Sequence, residues 1–259
     1  MDRRDFIKKT ALATTGAAIT APMSAMLANA ESAGLLKNAT GPTQNAWQEG
    51  KAPKVLLVNG SPRPDGNTFC CLKEIETQLQ KHGLETEILQ IGRQPVRMCI
   101  NCGGCHRNDG KGCVFDDDFC RVITEKMATA DALVVGTPVY YGQPNGGILS
   151  LMQRLFYSAG HLVQNKPAAA LAVCRRGGAT ATLQTMNMMF EMMNMPVVTS
   201  QYWNIAYGAG KGEVKLDTEG MQTMRTLGNN MAWLLQKIHA NGKSAPQRDE
   251  RPVFMNFIR

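Results

Sequence analysis

From residue 54 onward, short apolar runs alternate with longer segments whose apolar positions recur at helical spacing. The runs predict five strands, at 54–59, 86–91, 131–136, 168–174 and 196–201. The intervening pattern predicts five helices. Two of them cover 68–82 and 218–239, and the other three begin at about residues 116, 148 and 183. Strands that alternate with helices favour a doubly wound α/β fold, in which a five-stranded parallel sheet carries helices on both faces. Ligands of such sheets bind beyond the carboxyl ends of the strands, so the loops there are expected to carry the chemistry.

The loop after the first strand, residues 60–68, leads directly into a helix N-terminus. Unpaired backbone N–H groups and the helix dipole favour an anion there, and this predicts a phosphate site. Ser61, Asn67 and Thr68 add side-chain donors and Arg63 adds a cation. The segment matches neither the dinucleotide-binding glycine motif nor the P-loop. The alternative is an ordinary polar turn in which Asn67 is the helix N-cap.

Two adjacent aromatic residues, Tyr140 and Tyr141, follow the third predicted strand. Their rings provide flat apolar surface at the carboxyl end of the sheet, which suits a flat ligand ring. The alternative interpretation is a half-buried pair in an ordinary loop.

A segment between the second strand and the second helix carries four closely spaced cysteines, Cys99, Cys102, Cys105 and Cys113. Two successive C-x2-C steps and a fourth thiol nearby can ligate one [4Fe–4S] cluster. Structural zinc more often uses two separated C-x2-C pairs. Zinc, disulfides and free thiols remain open alternatives from the spacing alone.

Three of these segments carry a resemblance to a known family. Ser-Pro-Arg-x-x-Gly-Asn-Thr, at 61–68, resembles the first flavin loop of the NAD(P)H-dependent FMN reductases and the related iron–sulfur flavoproteins. Segment 137–142 (TPVYYG) is similar to the second flavin loop of that family, and 175–178 (RRGG) to the third. The resemblance covers about residues 54–240 and implies a flavodoxin-like fold.

The resemblance also implies roles for individual residues. It implies a phosphate site for FMN at Ser61, Arg63, Gly66, Asn67 and Thr68. It implies that the isoalloxazine packs along Pro138, Val139, Tyr140, Tyr141 and Gly142, and that the backbone approaches the ring at Arg175, Gly177 and Gly178. It implies that the four cysteines, in the cysteine-rich loop 97–115, hold a [4Fe–4S] cluster. In the third helix, Ser150 and Gln153 replace a Lys and an Asp that are frequent in related proteins, while Arg154 is retained.

The first thirty residues have the features of a twin-arginine signal peptide. Arg3 and Arg4 precede a weakly apolar stretch, and small residues at 28–30 predict cleavage before Glu31. A disordered basic arm and an uncleaved membrane anchor are the alternatives. The predicted organisation is therefore a signal peptide (1–30), a linker (31–52), an FMN-binding domain (53–240) and a C-terminal tail (241–259).

These features together predict an exported oxidoreductase, located in the periplasm or elsewhere outside the cytoplasm. NAD(P)H is the expected electron donor, and electrons would pass through FMN and the cluster to an acceptor that the sequence does not name. The alternatives are an electron carrier without its own small-molecule substrate and a flavin-only reductase with a zinc-bound or disulfide-bonded cysteine loop. The formal charge is +7, but no basic stripe interleaved with aromatics indicates a nucleic-acid partner. The expected partners are further copies of this chain, as a dimer or tetramer, and the twin-arginine translocation machinery.

Overall fold

The computed structural model describes residues 51–240. The predicted signal peptide, the linker as far as residue 50 and the tail 241–259 lie outside the described residues. The strands are β1 (Lys54–Asn59), β2 (Glu85–Gln90), β3 (Ala132–Tyr140), β4 (Gln143–Pro144), β5 (Ala168–Cys174) and β6 (Ile205–Tyr207). The helices are α1 (Asn67–Lys81), α2 (Phe119–Thr129), α3 (Gly146–Ala159), α4 (Ala179–Met192) and α5 (Thr218–Ala240).

Five of the strands form one parallel sheet in the order β2-β1-β3-β5-β6, and β4 pairs antiparallel with the end of β3. This order is that of the flavodoxin-like doubly wound fold. Alternate residues of a strand point to opposite faces, so Leu56 and Val58 join the core under α2, α3 and α4. Val55 and Leu57 join the core under α1 and α5. The predicted fold class is confirmed.

The fifth parallel strand lies later in the chain than the sequence pattern indicated. The prediction of a strand at 196–201 is wrong, because this segment makes only one isolated bridge, between Val197 and Ala168. The chain then leaves the sheet and returns at Ile205–Tyr207, which pairs with the end of β5. A strand of three residues is too short to produce a periodic pattern, whereas 196–201 carries enough β-branched residues to imitate one.

The second helix begins three residues after residue 116, the start that the sequence pattern predicts at the acidic run 116–118. It begins at Phe119, and Asp118 is its N-cap, with its carboxylate accepting a hydrogen bond from the backbone N–H of Cys120 at 2.9 Å. The acidic side chain therefore satisfies a free N–H group at the helix end instead of lying within the first turn. Within residues 51–240, no helix has both the length and the apolar character needed to span a membrane.

Candidate functional site

The loop after β1 is held tightly against the sheet by its backbone. The Gly60 N–H donates to the carbonyl oxygen of Gly136 on β3 at 2.8 Å. A Cβ on Gly60 would lie 2.8 Å from that oxygen and 2.8 Å from Cβ of Ile148, so only glycine fits there. The end of β1 therefore lies against the middle of β3 and the start of α3. The side of the sheet on which β1 ends is here called the carboxyl edge.

Side chains at the ends of β1 and β2 determine the shape of this loop. The amide oxygen of Asn59 accepts from the Ser61 N–H at 3.1 Å, and Gln90 donates to the Ser61 carbonyl oxygen at 2.6 Å. The Ser61 hydroxyl is buried and accepts from the Arg63 N–H at 3.2 Å, which leaves its own proton free to donate. Thr68 is also buried, whereas Arg63 is exposed.

The N-terminus of α1 has free backbone donors. Gly66 occupies the N-cap position without a side-chain cap, and the first helical hydrogen bond runs from Cys70 N to Gly66 O at 3.1 Å. The N–H groups of residues 67–69 therefore have no acceptor within the helix, as an anion site requires. The alternative interpretation of Asn67 as the N-cap is wrong, because Asn67 is the first helical residue.

The side chain of Asn67 connects the first loop to the segment after β6. It donates to the Gly210 carbonyl oxygen at 2.9 Å and accepts from the Val214 N–H at 3.3 Å. Lys211 also forms a hydrogen-bonded ion pair with Asp65, and the hydrogen bond from its ammonium group lowers the pKa of the Asp65 carboxyl. Segment 208–216 therefore packs against the first loop and extends the candidate site. No local sequence pattern indicates a contact between residues so far apart in the chain.

The second loop is a tight hairpin between β3 and β4. Tyr141 and Gly142 are its two connecting residues, and both have positive φ, at 52° and 77°. This is the geometry of a type I′ turn, which a tyrosine adopts only under strain. Tyr141 is fully exposed and Tyr140 is about half exposed, so the interpretation as a half-buried pair fits Tyr140 alone. Both rings are available as ligand surface. Pro138 and Val139 precede them and are partly buried.

The third loop directly contacts the second. Gly178 has a φ of 86°, and a Cβ there would lie 2.7 Å from Cα of Gly142 and 3.0 Å from Cγ1 of Val139. Gly177, by contrast, has nothing within 4 Å of the position of a Cβ, so its backbone faces open space. Arg175 is exposed at the start of this loop. The structure therefore brings the predicted second and third flavin loops together at the carboxyl edge.

The four predicted metal ligands line one small cavity. Cys99 and Cys102 are exposed, whereas Cys105 and Cys113 are partly buried, and all are free thiols. Burial, followed by the neighbouring thiols, raises the pKa of Cys105. Within residues 51–240, no three or more His, Cys, Asp or Glu side chains are already arranged to hold a metal ion. The cluster therefore stays a prediction.

Arg154 on α3 lines the same cavity and has a role that the sequence did not reveal. Its guanidinium donates to the Cys113 thiol sulfur, with Nη2 3.3 Å from Sγ. Tyr157 and Ser158 are the other contributions of α3, so the cavity lies against the second half of that helix. At 1.5 Å per residue, Arg154 lies about 12 Å along the helix from its start at Gly146, where the flavin loops lie. The predicted flavin loops thus lie at the N-terminus of α3, whereas the cysteine cavity lies beside its second half.

Comparison with known proteins identifies the family. A model of the NADPH-dependent FMN reductase family matches residues 53–210. The chain belongs to the NADPH-dependent FMN reductase family. Membership of this family supports an oxidoreductase activity that depends on FMN. The matched range contains all three predicted flavin loops, although it does not test which of their residues contact the cofactor.

Two curated proteins and one solved structure are also similar to this chain. An iron–sulfur flavoprotein of Methanocaldococcus jannaschii is 33% identical over 193 residues, which cover 71% of this chain and 98% of that protein. An iron–sulfur flavoprotein of Methanosarcina thermophila is 32% identical over 197 residues, which cover 73% and 98%. RosB, solved with a bound riboflavin-5′-phosphate derivative, has a TM-score of 0.55 at 18% identity and covers 80% of this chain and 93% of its own. The last similarity shows the fold alone.

Proposed function

We propose that this chain binds FMN at the carboxyl edge and passes electrons from NAD(P)H, through FMN and a [4Fe–4S] cluster in the cysteine loop, to an acceptor. The observation that carries the proposal is that the loops after β1, β3 and β5 all lie at the carboxyl edge of one parallel sheet, where Gly60 is bonded to Gly136 within β3 and Gly178 touches Gly142 of the hairpin. In open α/β sheets this edge is where ligands bind.

The first loop suits the phosphate of FMN. The free N–H groups of residues 67–69 and the hydroxyls of Ser61 and Thr68 would donate to it, while Arg63 adds positive charge. Asn67 would contribute mainly its backbone N–H, because its side chain already bonds segment 208–216.

The second and third loops suit the ring of FMN. The hairpin with Tyr140 and Tyr141 would cover the isoalloxazine, and the open backbone at Gly177 would allow it to approach closely. Bound FMN would supply the ability to accept a hydride from a two-electron donor and release single electrons.

The cysteine loop fits an iron–sulfur cluster by the chemistry of its donors. It offers four thiols to one cavity, which is the ligand set of a [4Fe–4S] cluster, and the relatives named above are iron–sulfur flavoproteins. The flavin loops lie at the start of α3 and the cysteine cavity lies beside its second half, so the cluster would serve either the flavin of its own chain or that of a neighbouring subunit. We therefore include a homodimer or homotetramer in the proposal.

The test of the activity uses anaerobically purified protein. Bound flavin should lose its oxidised absorbance within seconds of adding NADPH or NADH, with no other protein present. Flavin that stays oxidised with both donors but is reduced by dithionite would contradict the reductase and favour an electron carrier without its own small-molecule substrate.

Export by the twin-arginine route is also part of the proposal, and it rests on residues 1–30, outside the described part of the chain. This route carries folded proteins, which suits a chain that acquires its cofactors in the cytoplasm. Replacing Arg3 and Arg4 together by Lys should retain the precursor in the cytoplasm, as measured by cell fractionation. Unchanged export of that variant would contradict this route.

A further inference from the structure

Arg154 is a charged residue within the apolar face of α3. Only 1% of its surface is exposed, and its helix neighbours Leu151 and Leu155 are fully buried in the core. A buried cation is strongly unfavourable unless it is paired and hydrogen-bonded. The groups that bond the Arg154 guanidinium therefore indicate why a cation is buried at this position.

Those partners lie at both ends of the cysteine loop. At the beginning of the loop, Nη1 donates to the Arg97 carbonyl oxygen at 3.2 Å. At the end, Nη2 donates to the Phe115 carbonyl oxygen at 3.0 Å, and Nη1 forms an ion pair with the buried carboxylate of Asp118. Asp118 in turn accepts from the Arg97 N–H at 2.9 Å. One guanidinium thus closes a long loop that has only one short 3₁₀ turn of its own, Gly104–Arg107.

The remaining contact of Arg154 is with a predicted metal ligand. Nη2 lies 3.3 Å from the sulfur of Cys113, and Arg154 is the cation among the residues that line the four-cysteine cavity. Within the described residues its Nε has no hydrogen-bond partner, although it is buried. The guanidinium is therefore not fully satisfied by the protein groups that close the loop.

We propose that Arg154 is a positioning residue for the iron–sulfur cluster, which closes the cysteine loop, orients Cys113 as the fourth ligand and places a buried positive charge beside the thiolates. This inference rests on the cluster of the proposed function. Four thiolates bring concentrated negative charge, and a buried cation that donates N–H groups to sulfur offsets part of it. Hydrogen bonds to the sulfurs and local charge also raise the reduction potential of such a cluster.

The test compares variants that separate charge, geometry and loop closure. Arg154→Met removes the charge and the donors. Since it also leaves Asp118 buried without its partner, the double variant Arg154→Met/Asp118→Asn removes both charges and keeps an N-cap side chain for α2. Arg154→Lys keeps the charge but loses the planar fork. The matched control is Arg121→Met, which removes an exposed arginine from α2.

In anaerobic protein, the Met variant and the double variant should bind iron about 10- to 100-fold more weakly, the usual effect of losing a partner of a metal ligand. FMN per chain should stay unchanged. A cluster reconstituted into the Met variant or the double variant should have a lower reduction potential than the wild-type cluster. The potential of Arg154→Lys should lie between that of these variants and that of the wild type. Unchanged iron affinity and potential in the double variant would overturn the proposal. Loss of FMN in parallel with iron would overturn it as well, because Arg154 would then support the whole fold.

Hydrogen exchange of iron-free protein separates this inference from the proposed function. Residues 98–116 should exchange at least about tenfold faster in the double variant than in the wild type or Arg121→Met, because the closing hydrogen bonds are lost. Equal exchange would overturn the role in closing the loop. If wild-type protein from cells competent in cluster assembly holds no iron, the cluster of the proposed function fails, and with it the role of Arg154 toward a metal ligand. The exchange result then decides only whether Arg154 closes the loop.

Discussion

The two loops expected to bind cofactors are held by different means. The first loop, between β1 and α1, is joined to the sheet by backbone and amide hydrogen bonds at its root, such as Gly60 N to Gly136 O. The cysteine loop, between β2 and α2, is closed by side chains, namely the buried Arg154, far along the chain, and the exposed ion pair of Arg97 with Asp117. The first site is thus formed by the fold itself, whereas the second depends on side-chain ion pairs, of which only the pair of Arg154 with Asp118 is buried. The comparison can be tested by changing each support separately.

The largest expected effect is on the first loop and on FMN binding. Ser61→Ala combined with Thr68→Ala removes two hydroxyl donors proposed for the phosphate. Hydrogen bonds to charged groups contribute about 1.5–3 kcal/mol each, so FMN should bind at least about 100-fold more weakly. Fluorescence titration of apoprotein with FMN measures this. Thr77→Ala, an exposed position on the same helix, is the control, and equal FMN affinity in the double variant and the control would disprove the assignment.

The next largest effect should come from the partner of Arg154. Asp118→Ala leaves the guanidinium buried without its carboxylate and removes the N-cap of α2, so the free energy of unfolding should fall by about 3–5 kcal/mol. Urea unfolding measures the change. Asp117→Ala removes the neighbouring exposed carboxylate and its ion pair with Arg97, so it should lower the free energy of unfolding by only about 1 kcal/mol. Similar midpoints for the two variants would show that the cysteine loop does not depend on the buried pair.

A smaller effect is expected where the second and third flavin loops touch. Gly83→Ala and Gly178→Ala both place a side chain at positive φ, which costs about 1–2 kcal/mol. Only at Gly178 would the new Cβ also meet the backbone of Gly142, which should add about 1–3 kcal/mol and weaken FMN binding. Equal losses in stability and unchanged FMN affinity for both variants would argue against a shared wall of the site.

The smallest effect expected at neutral pH is on the free energy of unfolding, through Lys166 near the C-terminus of α2. Lys166 is buried and donates to the Met127 carbonyl oxygen at 2.7 Å, and burial lowers the pKa of its amine to about 8. Between pH 8 and the ordinary pKa of 10.5, Lys166 is protonated in the unfolded chain and largely neutral in the folded chain. The free energy of unfolding should therefore rise with pH in this range. The slope for one proton is at most about 1.4 kcal/mol per pH unit. The pH dependence of urea unfolding should show this rise in the wild type and lack it in Lys166→Met, and identical slopes would contradict it.

Much of the fold could be predicted because its signals are local. The apolar runs of β1 and β5 agree with the structure at both ends, since buried parallel strands read as continuous apolar segments. The short β6 was missed, because three residues contain no period and its place in the sheet depends on pairing with β5. The hairpin strand β4 was missed for the same reason.

In the candidate site, too, features with a local sequence signal could be predicted and contacts between distant residues could not. The first loop was recognisable because a strand, a polar turn and a helix follow one another in the sequence. The contacts of Asn67 with segment 208–216, of Gly178 with Gly142 and of Arg154 with the cysteine loop join distant positions. No spacing along the chain encodes them, so only the folded structure reveals them.

Two cofactor sites held independently in one chain are tested most directly by the FMN and iron content per chain of three anaerobically purified proteins. Wild-type protein should contain about one FMN and about four irons. Ser61→Ala/Thr68→Ala should lose FMN and keep iron, whereas Cys102→Ser should lose most of its iron and keep FMN, because the two sites are held independently. Wild-type protein without FMN would contradict the central claim. Wild-type protein that holds FMN but no iron, from cells competent in cluster assembly, would contradict the cluster and leave a flavin-only reductase.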